Sequence, residues 1–380
     1  MIFADHAATT PVRREALEAM WPYLTGAFGN PSSTHGVGDE AARALADARR
    51  RVATVIGCRP GDVVFTSGGT EADNLAILGL ALANPRGRHV VTSRVEHEAV
   101  LGAADALARL HGFEVGFAEV DAFGAVRPEA LARVIRPDTA LVSIQLANNE
   151  VGTVNDVAAL ARIAREAGAL VHTDAVQAAG WLPLSLDALG VDALSLAGHK
   201  VGAPKGTGAL VVRGRLPLEP VLHGGGQERG RRSGTENVAG AVAFATALEL
   251  AEAERADAAA RVGAASARFR DLVATAVPGA VPTGDPDRRL PGTVAYVFPG
   301  LSGEALLLEL ERRGVVVSSG SACAAGSDDP SHVLTAMGFA PEVAQTAVRF
   351  SFGPGSDEAD AAAAAEHLAE AVSAVGRIVG

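Results

Sequence analysis

Only two lysines, Lys200 and Lys205, occur among the 33 basic residues of this 380-residue chain; the other 31 are arginine. Arginine stays protonated at any working pH, whereas a lysine amine can lose its proton and attack a carbonyl carbon. A GC-rich codon bias that trades lysine for arginine leaves lysine mainly where arginine cannot substitute. Both survivors fall in Gly198-His199-Lys200-Val201-Gly202-Ala203-Pro204-Lys205-Gly206, so the choice there lies between chance retention and a catalytic amine. Further groups follow apolar runs. Ser67-Gly68-Gly69-Thr70 closes one run and opens a helical stretch; free backbone N–H groups and the helix dipole make such a turn a phosphate cup. It is not a Walker A loop, since no lysine follows, and it is not GxGxxG. Other runs end at Glu96-His97-Glu98, at Asn148-Asn149-Glu150, at Asp174 with Gln177 one turn on, and at His199-Lys200. Taken singly, each has a plain structural reading: a glycine turn, a helix-start histidine, a turn or cap, an N-capping aspartate.

Three features lie apart from these. Arg349 sits in the apolar run Val348-Arg349-Phe350-Ser351-Phe352, either as a bidentate fork for a carboxylate or as an edge-strand arginine facing water. Cys323 lies in Ser318-Ser319-Gly320-Ser321-Ala322-Cys323-Ala324-Ala325-Gly326-Ser327-Asp328-Asp329. Free cysteine usually prefers burial, so a thiol among such small residues points to chemistry. Only about 3% of an unperturbed thiol is thiolate at pH 7, so a histidine or a positive neighbour is needed to help it. Residues 223–237, HGGGQERGRRSGTEN, are a glycine-rich stretch. It reads as a mobile surface loop or as a further phosphate contact through Thr235, in this or a neighbouring subunit. Cys58 reads as packing.

The elements that must position these groups follow from apolar periodicity. Strands are expected at 62–66, 89–93, 113–120, 140–146, 169–173, 193–196 and 208–212, with helices over 71–83, 99–110 and 157–167 between them. Asn155 or Asp156 caps the last of these helices and Gly168 stops it. This alternation predicts an α/β fold whose mainly parallel central sheet is sandwiched by helices. The strand at 208–212 follows a loop too short for a crossover, so it should add antiparallel. A long helix over 236–277 leads, through a loop at 278–291, to a smaller α+β unit. That unit has strands at 293–298, 315–318 and 347–352 and helices at 303–312 and 357–379. The division expected is a large domain over 13–255 and a small one made of 1–12 and 256–380.

Ligands of an open parallel sheet sit at the carboxyl ends of its strands. Five strands there deliver a phosphate-type turn, an imidazole, an amide, a carboxylate and a rare lysine. Together they ask for a ligand with a phosphate, an aromatic ring, a basic ring nitrogen and a carbonyl that reacts with an amine. Pyridoxal 5'-phosphate has all four. Lys200 would carry it covalently, Asp174 would keep its ring nitrogen protonated, and His97 would stack on the ring. Asn149 and Gln177 would bond the ring hydroxyl, and Arg349 would bind the carboxylate of an amino-acid substrate.

Composition bounds the remaining possibilities. A formal net charge of −11 argues against a nucleic-acid partner. No apolar run is long enough to span a membrane. The N-terminal residues do not read as a secretory signal, so the cytoplasm is the expected compartment. Two cysteines exclude a disulfide scaffold and a clustered-cysteine zinc site, and no intrinsic metal site is expected.

The motifs TSGGTEADN, VEHEAV, ANNEVGT, HTDAVQ, AGHKVGAPKGTGAL, HGGGQERGRRSGTEN and SSGSACAAGSDDPSHVLTAMG resemble those of the cysteine desulfurases (NifS/IscS-like) of the class V aminotransferase group, fold type I. The likeness runs from Asp5-His6-Ala7-Ala8-Thr9-Thr10-Pro11 to Arg349-Phe350-Ser351. It implies that Gly69, Thr70 and His199 hold the phosphate and that Thr235 reaches the phosphate of a partner subunit in a homodimer. Asn149, Asp174 and Gln177 would hold the ring, Lys200 would carry it, His97 would serve in proton transfer, and Arg349 would bind substrate. The implied reaction takes sulfur from L-cysteine, leaving L-alanine and a Cys323 persulfide for an iron–sulfur scaffold or a tRNA-thiolation protein, with Cys323 a transient iron–sulfur ligand. Two departures stand out. Ala197 replaces a serine common two residues before the histidine of the GHK motif, and Ala324-Ala325 lack hydroxyls common in relatives. The alternatives are another enzyme of the same cofactor group, such as an aminotransferase or a selenocysteine lyase, and a non-catalytic sulfur-assembly partner.

Overall fold

The structure, a computed structural model, describes residues 1–320 and 329–379. Its strands are β1 (Ile2–Phe3), β2 (Val63–Thr66), β3 (His89–Ser93), β4 (Glu114–Ala118), β5 (Thr139–Ser143), β6 (Leu170–Asp174), β7 (Ala193–Ala197), β8 (Gly208–Val212), β9 (Val281–Thr283), β10 (Thr293–Val297), β11 (Val315–Val316) and β12 (Val348–Ser351). The helices are α1 (Arg14–Thr25), α2 (Gly36–Ile56), α3 (Gly69–Ala83), α4 (Glu98–His111), α5 (Pro128–Val134), α6 (Val157–Glu166), α7 (Leu186–Leu189), α8 (Val238–Ala276), α9 (Gly303–Arg312), α10 (His332–Ala336), α11 (Pro341–Ala344) and α12 (Glu358–Val379).

Seven strands form the central sheet in the order β2-β8-β7-β6-β5-β3-β4. The pairs among β3 to β7 are parallel, and β8 lies antiparallel to both β2 and β7, as the short connection requires. Every residue of β3, β5, β7 and β8 is buried, because helices cover both faces. On one face Leu75, Ile77 and Leu80 of α3 and Val100 and Leu107 of α4 pack with Val90, Leu141 and Leu210. On the other, α2, α6 and the first half of α8 pack with Val91, Val142, Val171 and Val211. A separate cluster joins Ala4 to Val262, Phe269, Phe350, Leu368 and Val375 around the antiparallel sheet β12-β10-β9. Phe269 lies 4.6 Å from Phe350 and 5.4 Å from Phe352, centroid to centroid.

Several expectations need correction. Helices α1 and α2 were not expected. The spacing of Ala41, Ala44, Leu45, Ala48, Val52 and Ile56 is helical, but alanine is a weak apolar marker, and these residues fill the core face of α2. Residues 278–291 are not all loop, because β9 pairs with β10. The strand expected at 315–318 stops at Val316, and Ser318 makes only an isolated bridge to Arg349. Asp156, not Asn155, caps α6: its Oδ1 accepts from Ala159 N at 3.1 Å, while Asn155 accepts from Val126 N and donates to Gln145 O.

The glycine-rich stretch is pinned to the sheet edge, which contradicts the mobile-loop reading. Glu228 is buried and forms a bidentate pair with Arg49, both bonds 2.7 Å, while its Oε2 also accepts from Phe65 N at 3.2 Å. Glu228 and Arg229 hold φ of 49° and 62°, a left-handed conformation that non-glycine residues adopt only when their surroundings impose it. Removing one member of a buried pair strands the other charge. Glu228→Ala is therefore expected to lower the unfolding free energy by about 3–5 kcal/mol. Urea denaturation checks this, and a loss under about 1 kcal/mol contradicts it.

Candidate active site

The carboxyl ends of β2, β3, β5, β6 and β7 converge on a cavity of about 420 Å³. Gly69, Thr70, His97, Asn149, Asp174, Gln177, His199, Lys200 and Arg349 all line it, with Ala197, Glu150 and Asp73. Nine sequence-derived site residues are thus brought together. Thr235 is not among them: it is exposed and lines a separate cleft with Ser67, Glu228 and Asn237. Cys323 lies outside the described residues. A second cavity of about 420 Å³, mostly apolar, lies on the other side of Lys200 between Trp181, α8 and β12. It contains His6 and Glu254 but lacks Gly69, Thr70, His97 and Asp174.

The Gly68-Gly69 turn starts α3 and leaves the first N–H groups of that helix at the cavity wall. A Cβ on Gly69 would lie 2.8 Å from Val176 Cγ2, so a larger residue there forces Val176 to shift. Glu71 braces the turn: it accepts from Ser67 N at 2.8 Å and pairs with Arg232 at 2.7 Å. His199, which lines the same cavity, is drawn down to about 4 by burial and then by the positive Lys200 and Lys205, so it is a neutral ring. The Lys200 ammonium donates to the carbonyls of Ala7 and Ala8, the latter at 2.8 Å, in the segment after β1. Gln177 donates to Ala7 O at 2.9 Å.

His97 takes both of its readings. Its Nδ1 accepts from Ala99 N at 3.1 Å as the cap of α4, and its ring lines the cavity. Asp174 ends β6 buried, with Oδ1 accepting from Val176 N at 2.8 Å. Burial raises its proton affinity, and His97 and Lys200 partly oppose the rise. Arg349 does not face water: it is 1% exposed. Its guanidinium donates to Asp5 Oδ1 at 2.7 Å and to Asn149 O at 2.8 Å, and Nε has no hydrogen-bond partner among the described residues.

Three buried acids escaped the sequence reading. Asp73, Glu96 and Glu150 lie within the quoted motifs but were given no role there, because they look like ordinary helix or turn residues; only their burial sets them apart. Glu150 accepts from Ser331 Oγ at 2.5 Å and carries an unpartnered Oε1. Cys58 is partly buried against the core, and burial pushes its thiol up to about 12, in keeping with a packing role.

The donor set fits pyridoxal phosphate. A helix N-terminus faces a neutral histidine, as a phosphate needs. A buried carboxyl of raised proton affinity suits a basic ring nitrogen, and the amine of Lys200 lies on the same wall. Among the described residues no group of three or more His, Cys, Asp or Glu could hold a metal ion, and no helix is long and apolar enough to cross a membrane.

The family model for class-V aminotransferases matches residues 2–363. The chain belongs to the class-V aminotransferase family, among its cysteine desulfurases. It is 44% identical to the cysteine desulfurase IscS of Dictyoglomus turgidum, over 93% of this chain and 89% of that one. It is 47% identical to a cysteine desulfurase of Cereibacter sphaeroides, over 92% and 90%. A solved NifS-like protein superposes with a TM-score of 0.91 at 37% identity, covering 98% of this chain and 99% of its own. SspA, solved in complex with cysteine, gives a TM-score of 0.81 at 34% identity, covering 93% and 99%. These likenesses bear out the α/β fold with its mainly parallel sheet sandwiched by helices.

Glu96 makes the pH behaviour of the site wall testable. Burial raises its carboxyl from the ordinary 4.5 to about 8, against hydrogen bonds from Ser93 and Gln145 N. A raised folded value means the folded chain keeps a proton that the unfolded chain releases. Stability is therefore full below about pH 4.5 and is lost as pH rises through 8. Glu96→Gln should remove at least about 2 kcal/mol of that loss between pH 5 and pH 8.5, read by urea denaturation at the two pH values. An unchanged difference contradicts the assignment.

Proposed function

We propose that this cysteine desulfurase works with pyridoxal phosphate held in the Lys200 cavity and hands the sulfur to Cys323. The meeting of Lys200, Asp174 and the Gly69-Thr70 turn in one cavity carries this reading. When bound, pyridoxal phosphate supplies an aldehyde that joins amines and a ring that accepts the electron pair released beside them. The chain's own residues do the rest. Gly69, Thr70 and His199 hold the phosphate, Asn149 and Gln177 the ring hydroxyl, and Asp174 the ring nitrogen. Arg349 fixes the substrate carboxylate; its Nε, unpartnered among the described residues, and its place in the cavity lining support that role. Lys200 Nζ moves the proton on the substrate carbon next to the amino group. His97, tied at Nδ1 to the backbone and lining the cavity, transfers a proton to or from the thiol.

The Cys323 thiolate attacks the substrate sulfur. A sulfur–sulfur bond forms as the carbon–sulfur bond breaks, a proton is added to the carbon, and L-alanine leaves. Two flanks of the thiol segment support its reach. Gly320 lies against Arg349 and Glu150, and Ser331 bonds Glu150. Three residues of chain span at most about 11 Å from Gly320. The persulfide then passes to an iron–sulfur scaffold or a tRNA-thiolation protein, where Cys323 serves as a transient cluster ligand. The enzyme works as a homodimer in the cytoplasm, with Thr235 serving the phosphate site of the partner; its exposed position away from this chain's own cavity supports that arrangement. Residues 13–255 form the large domain, and 1–12 with 256–380 the small one, a division supported by the clustering of Ala4 with the core around Phe269.

Lys200→Ala should abolish the visible absorbance of the purified protein and L-alanine formation together. Cys323→Ser should keep the absorbance but form no protein persulfide from L-cysteine. Normal sulfur release by that variant refutes the role of Cys323.

A further inference from the structure

Helix α3 carries Asp73 one turn past Gly69, so the two share a face. Asp73 is 1% exposed and lines the cavity beside Asp174. Its Oδ1 has no hydrogen-bond partner and lies 3.7 Å from His172 Nε2. His172 precedes Asp174 by two residues on β6, on the same side of the sheet. Its ring is fully buried between two hydroxyls: Ser143 Oγ is 2.9 Å from Nδ1 and Ser195 Oγ 2.9 Å from Nε2. Ser195 also bonds Asp73; burial, the larger effect, raises the proton affinity of this carboxyl and outweighs the bond, which favours the ionised form.

These contacts give Asp73 no positive partner. Burial draws His172 down to about 3, so the imidazole is neutral and carries a single N–H. The other ionisable groups that act on Asp73 are acids, Asp174 from β6 and Glu96 from the segment after β3. The basic groups of the cavity, His97 and Lys200, act on Asp174. Two adjacent carboxyls out of water do not both ionise. Geometry favours the proton on Asp73, whose buried Oδ1 has no hydrogen-bond partner among the described residues, while His97 and Lys200 favour the charge on Asp174.

We propose that Asp73 is a positioning residue of the cofactor site, a neutral acid that orders the Ser195–His172–Ser143 row and leaves Asp174 the single negative charge on the cavity floor. The inference rests on the reading that Asp174 meets the ring nitrogen of pyridoxal phosphate. The row then has one direction. Asp73 donates to Ser195 Oγ, Ser195 donates to His172 Nε2, and His172 Nδ1–H donates to Ser143 Oγ, so that both ring nitrogens are satisfied. An ionised Asp73 would reverse each bond and place a second negative charge in the floor.

The test uses the full-length holoenzyme. Wild-type minus Asp73→Asn infrared difference spectra at pH 7 should show the carbonyl stretch of a protonated carboxylic acid. Asp73→Asn keeps the shape and a neutral donor, so it should hold the cofactor Kd within about twofold and the midpoint of the cofactor absorbance titration within about half a pH unit. Asp73→Leu, which cannot bond Ser195, should weaken cofactor binding about fivefold or more. A difference spectrum with carboxylate bands only, or a midpoint displaced by about one unit or more in Asp73→Asn, means a charged Asp73 and overturns the proposal. Wild-type affinity in Asp73→Leu overturns the positioning role. Asp174→Asn separates the underlying reading: an unmoved absorbance midpoint there means that Asp174 does not meet the ring nitrogen, while the infrared result still decides the state of Asp73.

Discussion

A carboxyl group taken out of water at the end of β6 is the constraint around which this molecule is arranged. Asp174 gains one backbone N–H, from Val176, and stands within the influence of His97 and Lys200. Burial still wins and raises its proton affinity. Such a site favours whatever brings it a proton or a positive charge, which is what a basic ring nitrogen offers. The parallel sheet makes this burial possible. With helices on both faces, the strand ends open onto the recess that Asp174 lines.

The second requirement is to bring the small sheet up to that recess. Arg349 belongs to β12, yet it reaches Asn149 O at the end of the β5 run and Asp5 beside β1. The first ten residues act as the tie. Ala4 and His6 bond to β12, while Ala7, Ala8 and Thr10 bond to the Lys200 turn. A short segment that turns at residues 6–8 thus joins the amine to the guanidinium. Its carbonyls hold the ammonium in place until another partner claims it, consistent with a lysine that must both carry a cofactor and move a proton.

Much of this was legible in the sequence because apolar runs end in unusual residues. Strands β3 and β8 and helix α9 match their expected limits, and the antiparallel turn of β8 follows from loop length alone. Lys200, Asp174, His97 and Asn149 declared themselves by type and by position after a strand. Helices α1 and α2 stayed hidden because their core faces are built largely from alanine, which reads as neither core nor surface. The buried acids stayed hidden for another reason: nothing in the letters of Asp73, Glu96 or Glu150 distinguishes a solvated carboxylate from one enclosed by the fold. Arg349 needed coordinates too, since an arginine on a short strand points to water or into a recess with equal ease.

The near absence of lysine makes the central claim directly measurable. Borohydride reduction of the holoenzyme, followed by peptide mapping, fixes the cofactor to whichever amine carries it. Lys205, five residues on, is the internal control. The account predicts a pyridoxyl group on the peptide bearing Lys200 and none on Lys205; label on Lys205, or on neither lysine in fully coloured protein, contradicts it.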